Sequence, residues 1–100
     1  MNRGETDSLT IGVAIGSIGA TPQWWLDSAR RLEAAGYRGA WSWDHFVGGG
    51  DRTVPVVEQW TILAAAAGAT SSIRLGTFIT NVMNRHPALI ARMASTLQLA

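Results

Sequence analysis

The stretch LTIGVAIGSIGATP, Leu9 to Pro22, decides the fold, because its period changes part-way. Leu9, Ile11, Val13 and Ile15 alternate with Thr10, Gly12, Ala14 and Gly16. Successive side chains of a strand point to opposite faces, so this is a strand with one bulky and one very small face. Ser17-Ile18-Gly19-Ala20 then reads as a turn. Thr21-Pro22 reads as a helix start, with Thr as N-cap and Pro, which has no amide hydrogen to leave unpaired, in the first turn. Trp25, Ala29, Leu32 and Ala35 make an apolar stripe, and Asp27 and Arg31 an i,i+4 pair on the wet side. Gly36 ends the helix from the C′ position.

The same order recurs twice. Tyr37 to Trp43 (YRGAWSW) is a second strand, with Trp41 and Trp43 on one face and Ala40 and Ser42 on the other. After Asp44-His45-Phe46 and the segment Val47 to Thr53, a second helix is expected from about Pro55, with Val56, Trp60, Leu63 and Ala67 on one side. Ile73 to Thr80 (IRLGTFIT) is a third strand. The loop Asn81 to His86 leads into a third helix opened by Pro87, striped with Ile90, Met93, Ala94 and Leu97.

Three strand–loop–helix units in a row require parallel strands joined by right-handed crossovers. The fold class is therefore α/β. A closed barrel accounts for strands in which bulky residues alternate with Gly, Ala and Ser: the bulky ones pack outward on helices and the small ones face a crowded interior. An open doubly wound sheet wants large residues on both faces. A full (β/α)8 barrel takes about 250 residues, so 100 residues hold the N-terminal three βα units of an incomplete TIM barrel. The expected organisation is a flexible tail over residues 1–8 and a partial barrel domain over 9–100. Such a piece alone leaves a strand edge unpaired and is expected to self-associate.

Composition narrows the chemistry. Hydrophobic residues make up 47% and charged residues 15% of the chain, which suits a globular protein and not a disordered one. A net charge of +1 gives no basic field to gather nucleic acid. There is no cysteine, which removes thiol nucleophiles and thiolate metal ligands. All eight basic residues are Arg, so there is no lysine for a phosphate loop or a Schiff base. With two His, a metal site would need carboxylates, and no H-E-x-x-H or EF-hand spacing occurs; no metal is expected. Any redox function must come from a bound organic cofactor. Residues 1–8 (MNRGETDS) mix Arg3 with Glu5 and Asp7 and so lack the positive region of a secretion signal. No apolar run approaches the ~20 residues that cross a bilayer. A cytoplasmic protein with no membrane partner is expected.

Ligands of parallel α/β proteins bind where the strands end. Both histidines fall in those segments. Asp44-His45 is the leading catalytic candidate, since an imidazole titrates near neutrality and can give or take a proton. By alternation Asp44 follows Ala40 and Ser42 to the small-residue face and the barrel mouth. The competing reading is that Asp44 caps the turn and His45 packs on Trp43. Trp43, nearest the strand end, is the tryptophan expected near a substrate; the others suit a core. Arg85-His86-Pro87 sits at a helix start, where Arg85 can hold a phosphate or carboxylate, or where Asn84 or His86 simply caps the helix. Gly48-Gly49-Gly50 is a lid hinge or only a loose loop. Ala14-x-Gly16-x-x-Gly19, with Asp44 ending the next strand, imitates a dinucleotide fingerprint, but its first glycine is Ala14 and its helix begins only at Pro22.

Three segments carry a family resemblance. Trp43-Asp44-His45-Phe46 resembles the "DHF" segment of the luciferase-like oxidoreductases. Thr70 to Thr77 (TSSIRLGT) resembles that family's "TSRIRLGT", and Arg85 to Leu89 with Ala91 to Leu97 (RHPAL, ARMASTL) its "RHPALLAKMAATLD". Order and spacing agree across most of residues 9–100. The nearest branch uses an 8-hydroxy-5-deazaflavin coenzyme (F420 type) in place of FMN. The resemblance implies a (β/α)8 barrel with the cofactor across its C-terminal mouth, and hydride transfer at the ring or, in FMN members, oxygen insertion on a small-molecule substrate. It implies Asp44 and His45 in the active site, with His45 moving the proton, and Ile79, Thr80 and Asn81 against the ring. It often brings a bulge or a non-proline cis peptide near that strand end, and phosphate-contacting segments beyond the third helix. Two alternatives stay open: a dinucleotide-binding module, and a catalytically inactive remnant. Whether the protein forms a homo-oligomer is also open.

Overall fold

The computed structural model describes residues 9–100, so the expected tail at 1–8 lies outside the described residues. Strands β1 (Gly12–Ile15), β2 (Gly39–Ser42) and β3 (Arg74–Thr77) alternate with helices α1 (Pro22–Ala34), α2 (Gln59–Ala69) and α3 (Pro87–Leu99). The sheet order is β1-β2-β3 and both pairings are parallel, with Gly12, Gly39 and Arg74 in register at one end and Ile15, Ser42 and Thr77 at the other. These are three consecutive βα units, as the repeated period change requires. Each ladder is four residues long, shorter than the apolar runs that contain it.

The helix ends follow the local chemistry. Thr21 Oγ1 accepts a hydrogen bond from Trp24 N at 3.1 Å, and Pro22 occupies the first turn of α1. Past the last turn Gly36 takes φ +90°, a left-handed conformation that side-chain-bearing residues resist. The expected Asp27–Arg31 pair does not form; Asp27 meets Arg30 at 3.2 Å instead, on an exposed surface where it adds little.

The second helix starts later than expected. Pro55 is not its first turn: Gly19 N donates to Pro55 O at 2.7 Å and Val57 N to Ser17 O at 3.0 Å, an antiparallel bridge to the loop after β1. The helix begins only when Glu58 can cap it, its carboxylate accepting from Thr61 N at 2.8 Å and Trp60 N at 3.2 Å. At the opposite end of the sheet, Glu33 of α1 accepts from the backbone N–H groups of Ser71, Ser72 and Ile73 at 2.7–2.9 Å. Those donors, Ser72 first, hold its carboxyl below the ordinary range and pin the entry of β3 to α1.

The core lies between the sheet and α1 and α2: Ile15, Trp25, Ala29, Ala40, Ile62, Leu63, Ala66 and Ile73 are buried. Trp25 is wholly enclosed, and truncating such an indole to Ala costs about 3–5 kcal/mol. α3 buries no residue completely and rests on the others through Ile90, Met93 and Leu97. Among the described residues no helix is long and apolar enough to cross a membrane.

One face assignment is reversed. In β1 the bulky Val13 and Ile15 do face the helices, and Gly12, Ala14 and Gly16 the other side. In β2 it is Ala40 and Ser42 that are buried under the helices. The Trp41 indole lies across the opposite face, over glycines of all three strands: a Cβ on Gly12 would fall 2.5 Å from it, and one on Gly76 2.7 Å. The register explains this, because Trp41 lies between Ala14 and Gly76. Small residues on either side leave a floor wide enough for an indole. Ala40 and Ser42 are small for a different reason, that the central strand is the one both helices press upon.

Candidate active site

The C-terminal ends of the three strands bring together Gly16–Thr21, Trp43–Thr53 and Phe78–His86, and polar side chains from two of these segments meet the start of α2. Asp44 lies just past β2, its side chain only 3% exposed. Arg85 Nη1 donates to Asp44 Oδ2 at 2.6 Å and Nη2 to Oδ1 at 2.9 Å. Asn81 N donates to Oδ2 at 2.7 Å and Asn84 Nδ2 to Oδ1 at 3.2 Å. Burial pushes this carboxyl up, but the Arg85, Asn81 and Asn84 hydrogen bonds outweigh it and hold the pKa below the ordinary value. Arg85 Nη2 also donates to Glu58 Oε2 at 2.6 Å. Its two carboxylate partners raise the guanidinium further above its already high value, Asp44 first.

The face reversal changes what Asp44 does. It keeps the parity of Ala40 and Ser42, but that face belongs to the helices, so its carboxylate turns to Arg85 and not into an open mouth. Both of its oxygens are taken up by donors from Arg85, Asn81 and Asn84. Arg85 does hold a carboxylate, and it is the protein's own. His45 is exposed beside Trp43, ring centroids 5.6 Å apart at 63°, an edge contact that packs one side of the imidazole and leaves the other to solvent.

Of the three residues at the end of β3, Ile79 is 73% exposed. Thr80 Oγ1 turns inward and donates to Gln59 Oε1 at 3.0 Å. Asn81 gives its N–H to Asp44 and accepts from Met83 N at 2.9 Å through Oδ1. The Phe78–Ile79 peptide bond is cis. Gln59 and Glu58 were missed by sequence reasoning; their only signal is a pair of polar residues directly before the apolar run WTILAAAA.

Three motifs resolve into local structure. His86 Nδ1 accepts from Ala88 N at 3.0 Å, so this histidine caps α3. Gly48 packs against Ile18 and Val54, and Asp51 Oδ1 accepts from Thr53 N at 2.9 Å and Thr53 Oγ1 at 2.6 Å, closing the glycine-rich segment as an Asx turn. In the dinucleotide-like motif, the Gly19 N–H already bonds Pro55 O, and Asp44 is held by Arg85. Neither is free for a pyrophosphate or a ribose.

A flavin or deazaflavin ring is flat, with apolar faces and a polar rim. The strand ends suit such a ring: Ile79, Phe78 and Phe46 offer exposed apolar surface. Gly16 leaves room above Trp43, where an added Cβ would sit 3.6 Å from the indole.

A family model described as luciferase-like monooxygenase matches residues 2–100. The chain belongs to the luciferase-like family. Among solved structures, it is similar to an F420-dependent secondary alcohol dehydrogenase in complex with an F420-acetone adduct, with TM-score 0.81 and 29% identity over 89% of this chain and 27% of that one. It is also similar to the coenzyme F420 dependent tetrahydromethanopterin reductase from Methanopyrus kandleri, with TM-score 0.75 and 28% identity over 90% of this chain and 23% of that one. The chain thus spans about a quarter of the length of these family structures. No curated protein matches it.

Proposed function

We propose that the protein carrying this chain is a deazaflavin-dependent oxidoreductase that transfers hydride between an F420-type coenzyme and a small organic substrate. The observation that carries the reading is the pair of similar solved structures, both F420-dependent. Oxygen insertion with FMN is the second reading, favoured by the description of the family itself.

A bound deazaflavin supplies a carbon centre that takes or gives hydride. The chain's own residues do the rest. Ile79, with its exposed side chain, and its neighbours Thr80 and Asn81 would hold the ring at the end of β3. His45 holds or moves the proton of the substrate oxygen at an imidazole nitrogen, steadied by the edge of Trp43. Trp43 bounds the substrate space and excludes water from one side. Asp44 shapes the site without exchanging a proton, its charge fixed on Arg85.

Titration of the full-length protein with the deazaflavin coenzyme and, separately, FMN tests the reading by absorbance and fluorescence. Saturable binding of the deazaflavin is expected. Spectral silence with both chromophores rejects the proposal. NAD binding abolished by Gly16→Val, with neither chromophore bound, would put the dinucleotide module in its place.

A further inference from the structure

We propose that Gln59 is the positioning residue of the cofactor-facing segment, setting the height of Ile79 and Thr80 above the end of β2; the role in seating a ring rests on the function proposed above. Gln59 is 1% exposed, a buried polar side chain in a helix whose other buried residues are apolar. A buried carboxamide is tolerated only where its donors and acceptor are satisfied. Here Nε2 donates to Ser42 O at 2.8 Å and, at 3.4 Å, to Ile79 O. Oε1 accepts from Thr80 Oγ1 at 3.0 Å.

The partners are two carbonyls and one hydroxyl, so the amide is oriented by its surroundings and a flip would set oxygen against oxygen. The Ser42 carbonyl is shared, since it also accepts the N–H of Phe78 at 2.9 Å, one residue past the β3 ladder. Gln59 therefore sits where β3 leaves the sheet. It grips the next two residues from below, while Asp44 takes the N–H of Asn81 from the side. Four consecutive residues, Phe78 to Asn81, are each tied by a different polar contact to β2, to its C-terminal neighbour Asp44 or to the start of α2. An apolar residue at 59 would fill the same volume and release Ile79 and Thr80, the middle two of the four.

The test uses the full-length protein with Gln59→Met, which keeps volume, and Gln59→Glu, which sets an acceptor against the Ser42 and Ile79 carbonyls. Ala66→Gly, buried further along α2, serves as a stability-matched comparison. Amide hydrogen exchange without cofactor is the first readout. Loss of the ties should speed exchange at Phe78 and Asn81 by about tenfold in both Gln59 variants, with the β1·β2 ladder unchanged. Deazaflavin affinity is the second: about a tenfold loss, with a changed bound-state absorbance, in Gln59→Met, and a loss within about twofold in Ala66→Gly. Wild-type exchange at Phe78 and Asn81 in Gln59→Met overturns the proposal, as does an equal loss of affinity in Ala66→Gly. Should the unaltered protein bind no chromophore, the proposed function fails while the exchange data still decide whether Gln59 holds the segment.

Discussion

Arg85 grips both oxygens of Asp44 at 2.6 and 2.9 Å, across the gap between the loop that precedes α3 and the end of β2. The same guanidinium reaches Glu58, the cap of α2. One planar cation thus fixes three elements at the face where a ligand is expected, and the fork geometry is what a carboxylate accepts best. Whether such a pair stabilises a fold more than apolar packing would is a separate matter from what it costs to break. With Asp44 at 3% and Arg85 at 12% side-chain exposure, breaking it strands a buried charge.

Arg85→Ala should therefore cost about 2–4 kcal/mol in a denaturant melt. The Asn81 and Asn84 donors remain and limit the loss. Arg85→Lys should recover only part of it, because an ammonium cannot span both oxygens and Glu58 together. Stability equal to wild type in Arg85→Ala would mean that the pair does not hold the site.

The pH dependence follows from the direction of the Asp44 shift. Its folded pKa is depressed, so the fold favours the ionised form. The stability this contributes is fully present above the unfolded carboxylate value, about pH 4, and is lost as pH falls through the lower folded value. Glu58 shifts the same way, held down by Thr61, Trp60 and Arg85 against its desolvation. Asp44→Asn should be less stable than wild type at neutral pH, and the gap in Tm should close as pH drops below about 4. A gap that stays constant with pH would remove the Asp44 charge from the stability of the fold.

His45 makes the opposite prediction. It is exposed and meets the edge of Trp43, so His45→Ala should change stability by no more than about 0.5 kcal/mol. Turnover should fall by about 10²–10⁴-fold if its imidazole moves the proton. Measuring both on the same preparation separates a catalytic loss from an unfolded one, and unchanged turnover removes His45 from the mechanism.

What the sequence showed was what neighbouring residues decide. The cap at Thr21, the stop at Gly36 and the start at Pro87 each depend on a few adjacent residues, and each is where the pattern puts it. The face of β2 depends on residues far away. Alternation in YRGAWSW has two solutions, and the choice is made by glycines in three strands, which a one-strand pattern does not contain. The site was half legible for the same reason. Asp44 and His45 were named from their position at a strand end, and the segment at 79–81 from resemblance alone. The Asp44–Arg85 clamp joins residues 41 apart in sequence. The Gln59 contacts need the strands already laid side by side.

The glycine floor beneath Trp41 carries the last prediction. A Cβ on Gly76 would lie 2.7 Å from Trp41 Cε3, closer than real side-chain contacts allow. β3 is in register with β2 on one side, so neither strand can yield without giving up ladder bonds. Gly76→Ala should cost about 1–3 kcal/mol by overpacking, although alanine suits a strand better than glycine does. Trp41→Phe removes the benzene part of the indole where the added methyl would strike. The double variant Gly76→Ala with Trp41→Phe should then be more stable than the sum of the single losses, by about 1 kcal/mol in denaturant melts. Strict additivity would show that the indole does not lie over Gly76, and with it would go the face assignment that turns Asp44 toward Arg85.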